Sequence, residues 1–520
     1  MTAFYERLIL NRLAFGASQD DLRLIREFGP DQWIEQQLNA PLGDDPATQH
    51  RLDTARLRIK YNAGDGYESK DEQRPLLSLN QDAADLWPLT DYKRQMAGQE
   101  RQRPRQEVAT ATVIRAINSR WQIREVMVDF WHNHFNVNAA GDNAVSVALP
   151  PYDRVMRTHA LGNFREFLEA VATSPAMLIY LNNRSSRAGN ANENYGRELF
   201  ELHTLGRNSY LNDLYNRWRD VPGALKGAPK GYIDQDVYEA ARAFTGWTIE
   251  DGAGLGGGQT LPNTGRFAYV EGWHDNYQKR VLASDFDPFQ APMTDGRKVL
   301  DLVAFHPSTA RFICTKLCRR LVSDQPSEAL IAAAVQIWTE NQKHPEQIKR
   351  VISVIAHSQD LREGIGNKVK RPLELIASYV RGAGFDITVT DGLLNELDNS
   401  GQRLFGWGPP TGHPDTMEYW LSSHIFRRRW ILTAGLSDNW WGTGVFSPSA
   451  RLGKPMNAGQ TIALWHEHLT GTEADDSTLA AILTGMQLDK EAPLASGPSM
   501  DPVHRRILAY CAMTPAFNYR

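Results

Sequence analysis

The sequence predicts a mainly α fold: one large helical unit over residues 1–520, with a short β-hairpin and loop excursion in the middle. Apolar residues recur at helical spacing through most of the chain. Capping residues flank many of these runs, with Ser or Asp before them and Gly or Pro after. Two stretches break the pattern: 62–80 is charged, polar and carries Gly64 and Gly66, which predicts an exposed loop. The other, 247–295, has Gly252, Gly254 and Gly256 to Gly258, then Phe267-Ala-Tyr-Val and Arg280-Val-Leu, which predicts a glycine-rich loop and a hairpin.

The elements follow in chain order. Ser18 caps a helix over 19–28, Gly29 ends it, and Pro30 opens a second helix through Trp33, Ile34 and Leu38. From 106 to 134 the residues Val108, Ala111, Ile114, Ile117, Trp121, Ile123, Met127, Phe130 and Trp131 keep helical spacing without proline, predicting one long helix. Further helices are predicted over 152–160, 163–174, 192–205, 234–245, 296–304, 308–322, 327–340, 346–357, 372–383, 416–436, 458–470 and 477–487.

Composition removes several function classes. Lys plus Arg (57) nearly balance Asp plus Glu (61), so no basic excess exists to follow a phosphate backbone, and no nucleic-acid partner is expected. No run of 18 apolar residues appears, so no membrane partner is expected. Cys314, Cys318 and Cys511 cannot frame a disulfide scaffold and read as core residues. The N-terminus has no basic leader, so a cytoplasmic location is expected as the sequence stands, and an extracytoplasmic one if a signal was trimmed. Gly-x-Ser-x-Gly, His-Glu-x-x-His and Cys-x-x-Cys are all absent. The glycine cluster follows no buried strand and opens no helix, which disfavours a nucleotide loop.

Several long motifs stand in a fixed order. They are Leu10-Asn-Arg-Leu-Ala-Phe-Gly-Ala17, Phe130-Trp-His-Asn-His-Phe135, Asn192-Glu-Asn-Tyr-Gly-Arg-Glu-Leu-Phe-Glu-Leu-His203 and Asp236 to Trp247. His274-Asp275 with Lys279, His306 to Phe312 with Lys316-Leu317, and Lys370-Arg-Pro-Leu-Glu374 follow. Together they resemble the bacterial "domain of unknown function 1800" family across nearly the whole chain. The resemblance implies a mostly helical single unit and supplies no established reaction. Family members often carry a secretion leader, which this sequence lacks, and the Gly206 to Asp234 connection is longer than the family pattern.

Two of these motifs hold the candidate chemistry. On a regular helix, residues two apart point about 200° apart, so His132 and His134 face one site only if the helix ends between them. Asp129 and His132 share a face without any break, and Glu198 and Glu201 share another. Asp129, His132, His134, Glu198, Glu201 and His203 are therefore the candidate ligands for a divalent metal such as iron, manganese or zinc. The same string also permits metal-free catalysis by Glu198 and Glu201, with His132 or His274 carrying the proton. A third reading makes Glu193, Arg197 and Glu201 buried ion pairs and His132 a core histidine.

Candidate substrate-binding residues are Trp131, Trp247, Arg197, Lys279, His413 and Asp415. Aromatic faces suit sugar rings as well as cores, and Phe405 to Asp415 is a turn-rich loop of the kind that carries function on a helical scaffold. The expected activity is a hydrolase, metal-dependent or carboxylate-based as in a glycosidase or lyase, on a small polar or carbohydrate substrate. The competing class is a non-catalytic binding or scaffold protein with a satisfied polar core, and oligomeric state is not encoded legibly.

Overall fold

Residues 3–364, 368–452, 456–495 and 497–520 are described by the computed structural model. Helices dominate, and every described sheet is a two-stranded antiparallel pair. Buried apolar side chains from Ile9 to Phe517 join in one large core cluster. No described helix is long and apolar enough to cross a membrane.

The N-terminal hairpin of helices forms as its caps predict. Ser18 Oγ accepts the Asp21 amide at 3.1 Å to open Gln19–Phe28, Gly29 closes it at φ 86°, and Pro30 starts Pro30–Leu38. The single helix expected over 106–134 is instead two, Gly98–Asn118 and Gln122–His134. Gln122 turns its carboxamide back onto the Ala116 and Ser119 carbonyls at 3.3 and 2.7 Å, which occupies acceptors that a helix end leaves open. The apolar spacing survives the corner, so periodicity alone does not register it. Gly98–Asn118, Gln122–His134, Asn143–His159 and Pro372–Ala383 pack together and form the ground on which the site is built.

The segment expected as one helix over 192–205 changes character midway. Glu193–Glu198 is α-helical and capped by Asn192, whereas Leu199–His203 is a π turn, one residue wider per turn. Gly196 allows this segment to cross Asp234–Ala243 closely, since a Cβ there would stand 3.0 Å from the Val237 carbonyl oxygen.

Both excursions contain more strand than expected. Within the supposed loop 62–80, Lys70–Pro75 pairs with Arg56–Tyr61, whose alternate residues Leu57, Ile59 and Tyr61 are buried. Residues 247–295 hold three hairpin pairs rather than one: Trp247–Asp251 with Asn263–Tyr269, Gly254–Gly256 with Gln259–Thr260, and Lys279–Val281 with Ser284–Phe286. Gly256, Gly257 and Gly258 all take positive φ, which is how the tight middle turn closes. Toward the C-terminus, the helix expected over 416–436 is broken into Met417–Trp420 and Ser423–Ser437. An additional helix, Asp501–Met513, packs on Ser423–Ser437 and Ala458–Thr470.

Candidate active site

The last turns of Gln122–His134 carry polar residues out of an aromatic core. Trp131 is fully buried, donates Nε1–H to the Ala160 carbonyl at 2.9 Å, and packs against Phe135, Phe164 and Phe167. It is a core residue and not the substrate face expected of it. The helix stays regular through His134, so His134 leaves it about 200° away from His132, while Asp129 and His132 share a face and differ in the partners that hold them.

His132 turns toward Asn143–His159, where its Nε2 lies 2.9 Å from Asp153. Asp153 also meets Arg115 at 3.5 Å, and Arg115 and Arg157 share Asp44 at 2.9 and 3.2 Å. Arg157 then continues to Glu125 at 2.8 Å. Burial pushes the Asp153 carboxyl up, but the His132 hydrogen bond and the charges of Arg115 and Arg157 outweigh it and hold it well below the usual carboxylate range. A small chamber of about 50 Å3, enough for a few waters, lies between His132, Asp129, Asn133, Asn136 and Arg371.

Asp129 lines the same chamber but is held by a lattice of arginines. It accepts Arg371 and, at 3.2 Å, Arg320; Glu374 meets Arg320, Arg520 and Arg371 at 2.6, 3.0 and 3.4 Å. Burial would raise the Glu374 carboxyl, yet Arg320, Arg520 and Arg371 together hold it well below its ordinary value. Three guanidiniums stand against two carboxylates here, so the lattice keeps a positive excess.

That excess forms one wall of a larger cavity of about 310 Å3 at the end of the helix. His134, Lys316, Arg319, Arg371, Trp407 and Asp415 line it, with Phe130 and Phe312 as apolar walls. His134 donates Nε2–H to the His203 carbonyl at 3.1 Å, a carbonyl brought into line by the π turn. This fixes the tautomer: Nδ1 is the bare acceptor, and Lys316 Nζ lies 2.8 Å from it. Burial, with help from Lys316 and His203, holds the His134 imidazole well below its ordinary value, so it is neutral. Burial, aided by Arg319 and opposed by Asp415, lowers the Lys316 amine to about 8. Among the described residues no carboxylate lies within ion-pair distance of Lys316 or Arg319.

The loop expected to carry function roofs this cavity and is tied to the helix end by side chains. Asn133 donates to the His413 carbonyl at 2.8 Å and accepts the His413 amide at 2.7 Å; Asn136 donates to the Pro409 carbonyl at 2.8 Å, and Tyr180 to that of Gly408 at 2.6 Å. Gly412 sits at φ 70° where a Cβ would stand 2.1 Å from the Asn133 carbonyl oxygen, so only glycine fits. His413 packs at a tilt against Trp407 and is pushed down to about 4 by burial and by Arg371, so it too is neutral.

Other candidates lie elsewhere. His274 and Lys279 are buried on Asp295, at 3.3 and 2.7 Å, where they fix the Lys279–Val281 hairpin instead of serving a pocket. Asp275 pairs with Arg242 at 2.8 Å and not with Lys279. Trp247 is fully buried against Phe244 and Phe267, so it too is core. Arg197 meets Glu193 at 3.4 Å and Asp234 at 3.8 Å on a half-exposed surface, while Glu201 meets only Arg207, at 3.9 Å. The buried ladder of Glu193, Arg197 and Glu201 is thus a surface arrangement. Glu198 is half-buried beside Glu201, and burial followed by that like charge raises its carboxyl to about 7.

The six candidate metal ligands are not gathered. Asp129 is held by arginines, His132 by Asp153, and the Nδ1 lone pair of His134 by Lys316, while His203 is enclosed beside Phe135. Among the described residues no group of three or more His, Cys, Asp or Glu is placed to hold a metal ion. The expected cluster combined residues by helix face, whereas charged neighbours on other helices decide where each one points.

Lys316, Arg371 and Asn133 are site residues that sequence reasoning did not nominate. Lys316 stands among Ile313, Cys314 and Leu317, and a cation embedded in an apolar helix stretch was the available signal.

The family model described as "Protein of unknown function (DUF1800)" matches residues 8–519, nearly the whole chain, and the chain belongs to that family. No curated protein and no solved structure matches it.

Proposed function

We propose, for this member of a family without an assigned reaction, an enzyme that binds a small anionic organic substrate in the cavity beneath the Phe405 to Asp415 loop and moves a proton on it with the Lys316–His134 pair. The observation that carries this reading is the hydrogen bond from Lys316 Nζ to the bare Nδ1 of His134 in a cavity whose charged lining is Arg319, Arg320 and Arg371 with the single carboxylate Asp415. A cation without a carboxylate partner is costly to hold away from water, and an anionic ligand would offset that cost. The cavity is at the small end of ligand pockets, which suits a molecule no larger than a monosaccharide.

In this reading Arg371 and Arg319 neutralise the anionic group, and Lys316 exchanges the proton through His134, whose far nitrogen is pinned by the His203 carbonyl. Trp407 offers a flat face, so an acidic sugar remains within the class. Glu198 supports a second reading, as a general acid: its carboxyl is raised to about 7, and it lies near Tyr180, which holds the roof loop at Gly408.

Calorimetric titration with lactate, sulfate, phosphate and galacturonate tests the first reading. Saturable binding of at least one anion is expected, weakened about tenfold or more in Lys316→Met, the equivalent of one charge-assisted hydrogen bond. If none of the four binds, the enzyme reading fails and the polar cluster is scaffold.

A further inference from the structure

We infer that the Lys316 amine is a covalent nucleophile, and that the substrates it takes are small 2-oxo acids, molecules with a ketone or aldehyde carbon beside a carboxylate. This rests on the anion-binding reading above and adds a bond-forming role to it.

The other deeply placed lysines show by contrast what is particular about Lys316. Lys279 Nζ is surrounded by Asp295 and the carbonyls of Asp275 and Tyr277, and Lys368 is fixed by Asp324 and the Asp415 carbonyl. Lys370 lies over the Phe517 ring, 3.7 Å from its centre, and lines neither cavity. Lys316 alone of these faces an open cavity and has an imidazole nitrogen as its hydrogen-bond partner. Since His134 Nε2 already gives its hydrogen to the His203 carbonyl, Nδ1 can only receive one. A base is therefore in place at the nitrogen that must lose protons before it can attack. The lowered amine range leaves a useful share of Lys316 uncharged near neutral pH.

The second half of the substrate follows from the wall. Among the described residues Arg319 carries no carboxylate within ion-pair distance, the arginine lattice behind Arg371 has one guanidinium more than the carboxylates it pairs with, and Asp415 is the one carboxylate in the cavity lining. A carboxylate next to the carbonyl would lie against this wall while the carbonyl carbon faced Nζ. Phe130 and Phe312 leave an apolar flank for a short alkyl group.

The step balances without any other reactant. The Lys316 ammonium gives one proton to His134 Nδ1; the neutral Nζ then forms a bond to the carbonyl carbon, the carbonyl electron pair moves to oxygen, and the oxygen takes that proton back from His134 to become a hydroxyl. A second nitrogen proton passes through His134 to the hydroxyl, which leaves as water while the nitrogen lone pair closes the C=N bond. Ammonium and ketone together give a protonated imine and one water, with charge conserved. The protonated imine then withdraws electrons from the neighbouring carbon, which eases proton loss or bond cleavage there.

The experiment uses the whole chain with pyruvate and sodium borohydride, followed by peptide mass mapping, with lactate as the non-carbonyl anion control. One reduced adduct is expected on Lys316, suppressed by lactate, formed about 100-fold more slowly in His134→Asn and absent from position 316 in Lys316→Arg. If lactate binds and Lys316 stays unlabelled, or if label spreads over surface lysines regardless of lactate, the imine is refuted and the anion reading stands. If neither lactate binding nor label is found, both fall. Lactate protection in the unaltered protein keeps the test decisive even where a variant fails to fold.

Discussion

Asp129 and His134 stand on the same helix, yet one enters a lattice of ion-paired carboxylates and guanidiniums and the other a cavity in which a lysine donates to a neutral ring. Both regions are polar and both lie deep, so burial does not separate them. What separates them is pairing: Asp129, Glu374, Arg320, Arg371 and Arg520 are joined by ion pairs from four distant parts of the chain, and such networks fix a fold. Lys316 is part-buried with no carboxylate at ion-pair distance, and in the proposed reading an anionic ligand supplies the missing charge.

The contrast breaks most sharply at Glu374. Glu374→Gln leaves Arg320, Arg371 and Arg520 facing one another, and a loss of about 3–5 kcal/mol is expected in denaturant unfolding. A loss under 1 kcal/mol would mean that the lattice is dispensable.

Asp153→Asn should have a smaller effect, about 2 kcal/mol near neutral pH, because Arg115 and Arg157 keep Asp44 and Glu125. The sign with pH is set by the depressed carboxyl. Its stabilisation is present above the ordinary aspartate range near pH 4 and is lost as pH falls through the lower folded value. The unaltered protein is expected to lose stability below pH 4 more steeply than Asp153→Asn, as thermal melts across pH 2–6 would record; parallel curves would exclude Asp153 from the acid limb.

Lys316→Met is the smallest perturbation of the fold and the one of opposite sign. The amine binds its proton less readily folded, at about 8, than unfolded, so its penalty is full below pH 8 and fades as pH rises to the ordinary lysine range near 10. The variant should be at least as stable as the parent at pH 7, with the difference closing toward pH 10. Marked destabilisation at pH 7 would place Lys316 with the structural charges after all.

These comparisons also show what the sequence made legible. Local signals located Gln19–Phe28, Asp234–Ala243, Pro372–Ala383 and Ala458–Thr470 within about two residues, because caps and apolar spacing are local quantities. The corner at Ser119 to Trp121 escaped because Gln122 makes it with contacts to Ala116 and Phe15 that no periodicity encodes. The hairpin of Arg56–Tyr61 with Lys70–Pro75 escaped because its second strand is polar, although the alternation of Leu57, Ile59 and Tyr61 was readable. For the site, the divergence of His132 and His134 follows from helix geometry alone. Their partners do not: Asp153, Lys316 and the His203 carbonyl arrive from three separate elements. Helix faces can say which residues of one string point together, and cannot say which charge from another string meets them.

The π turn at Leu199–His203 amounts to one extra residue spliced into an α-helix, and so acts as a phase shifter about the helix axis. Deleting one residue there would restore the regular repeat by turning everything before it through about 100° relative to everything after it. Gly196 could not stay against Val237 while the His203 carbonyl stayed on His134, since the two contacts lie on opposite sides of the splice. Chain length at this one turn thus sets which nitrogen of a distant imidazole bears the hydrogen, a form of control that no change of side chain within the cavity would reproduce.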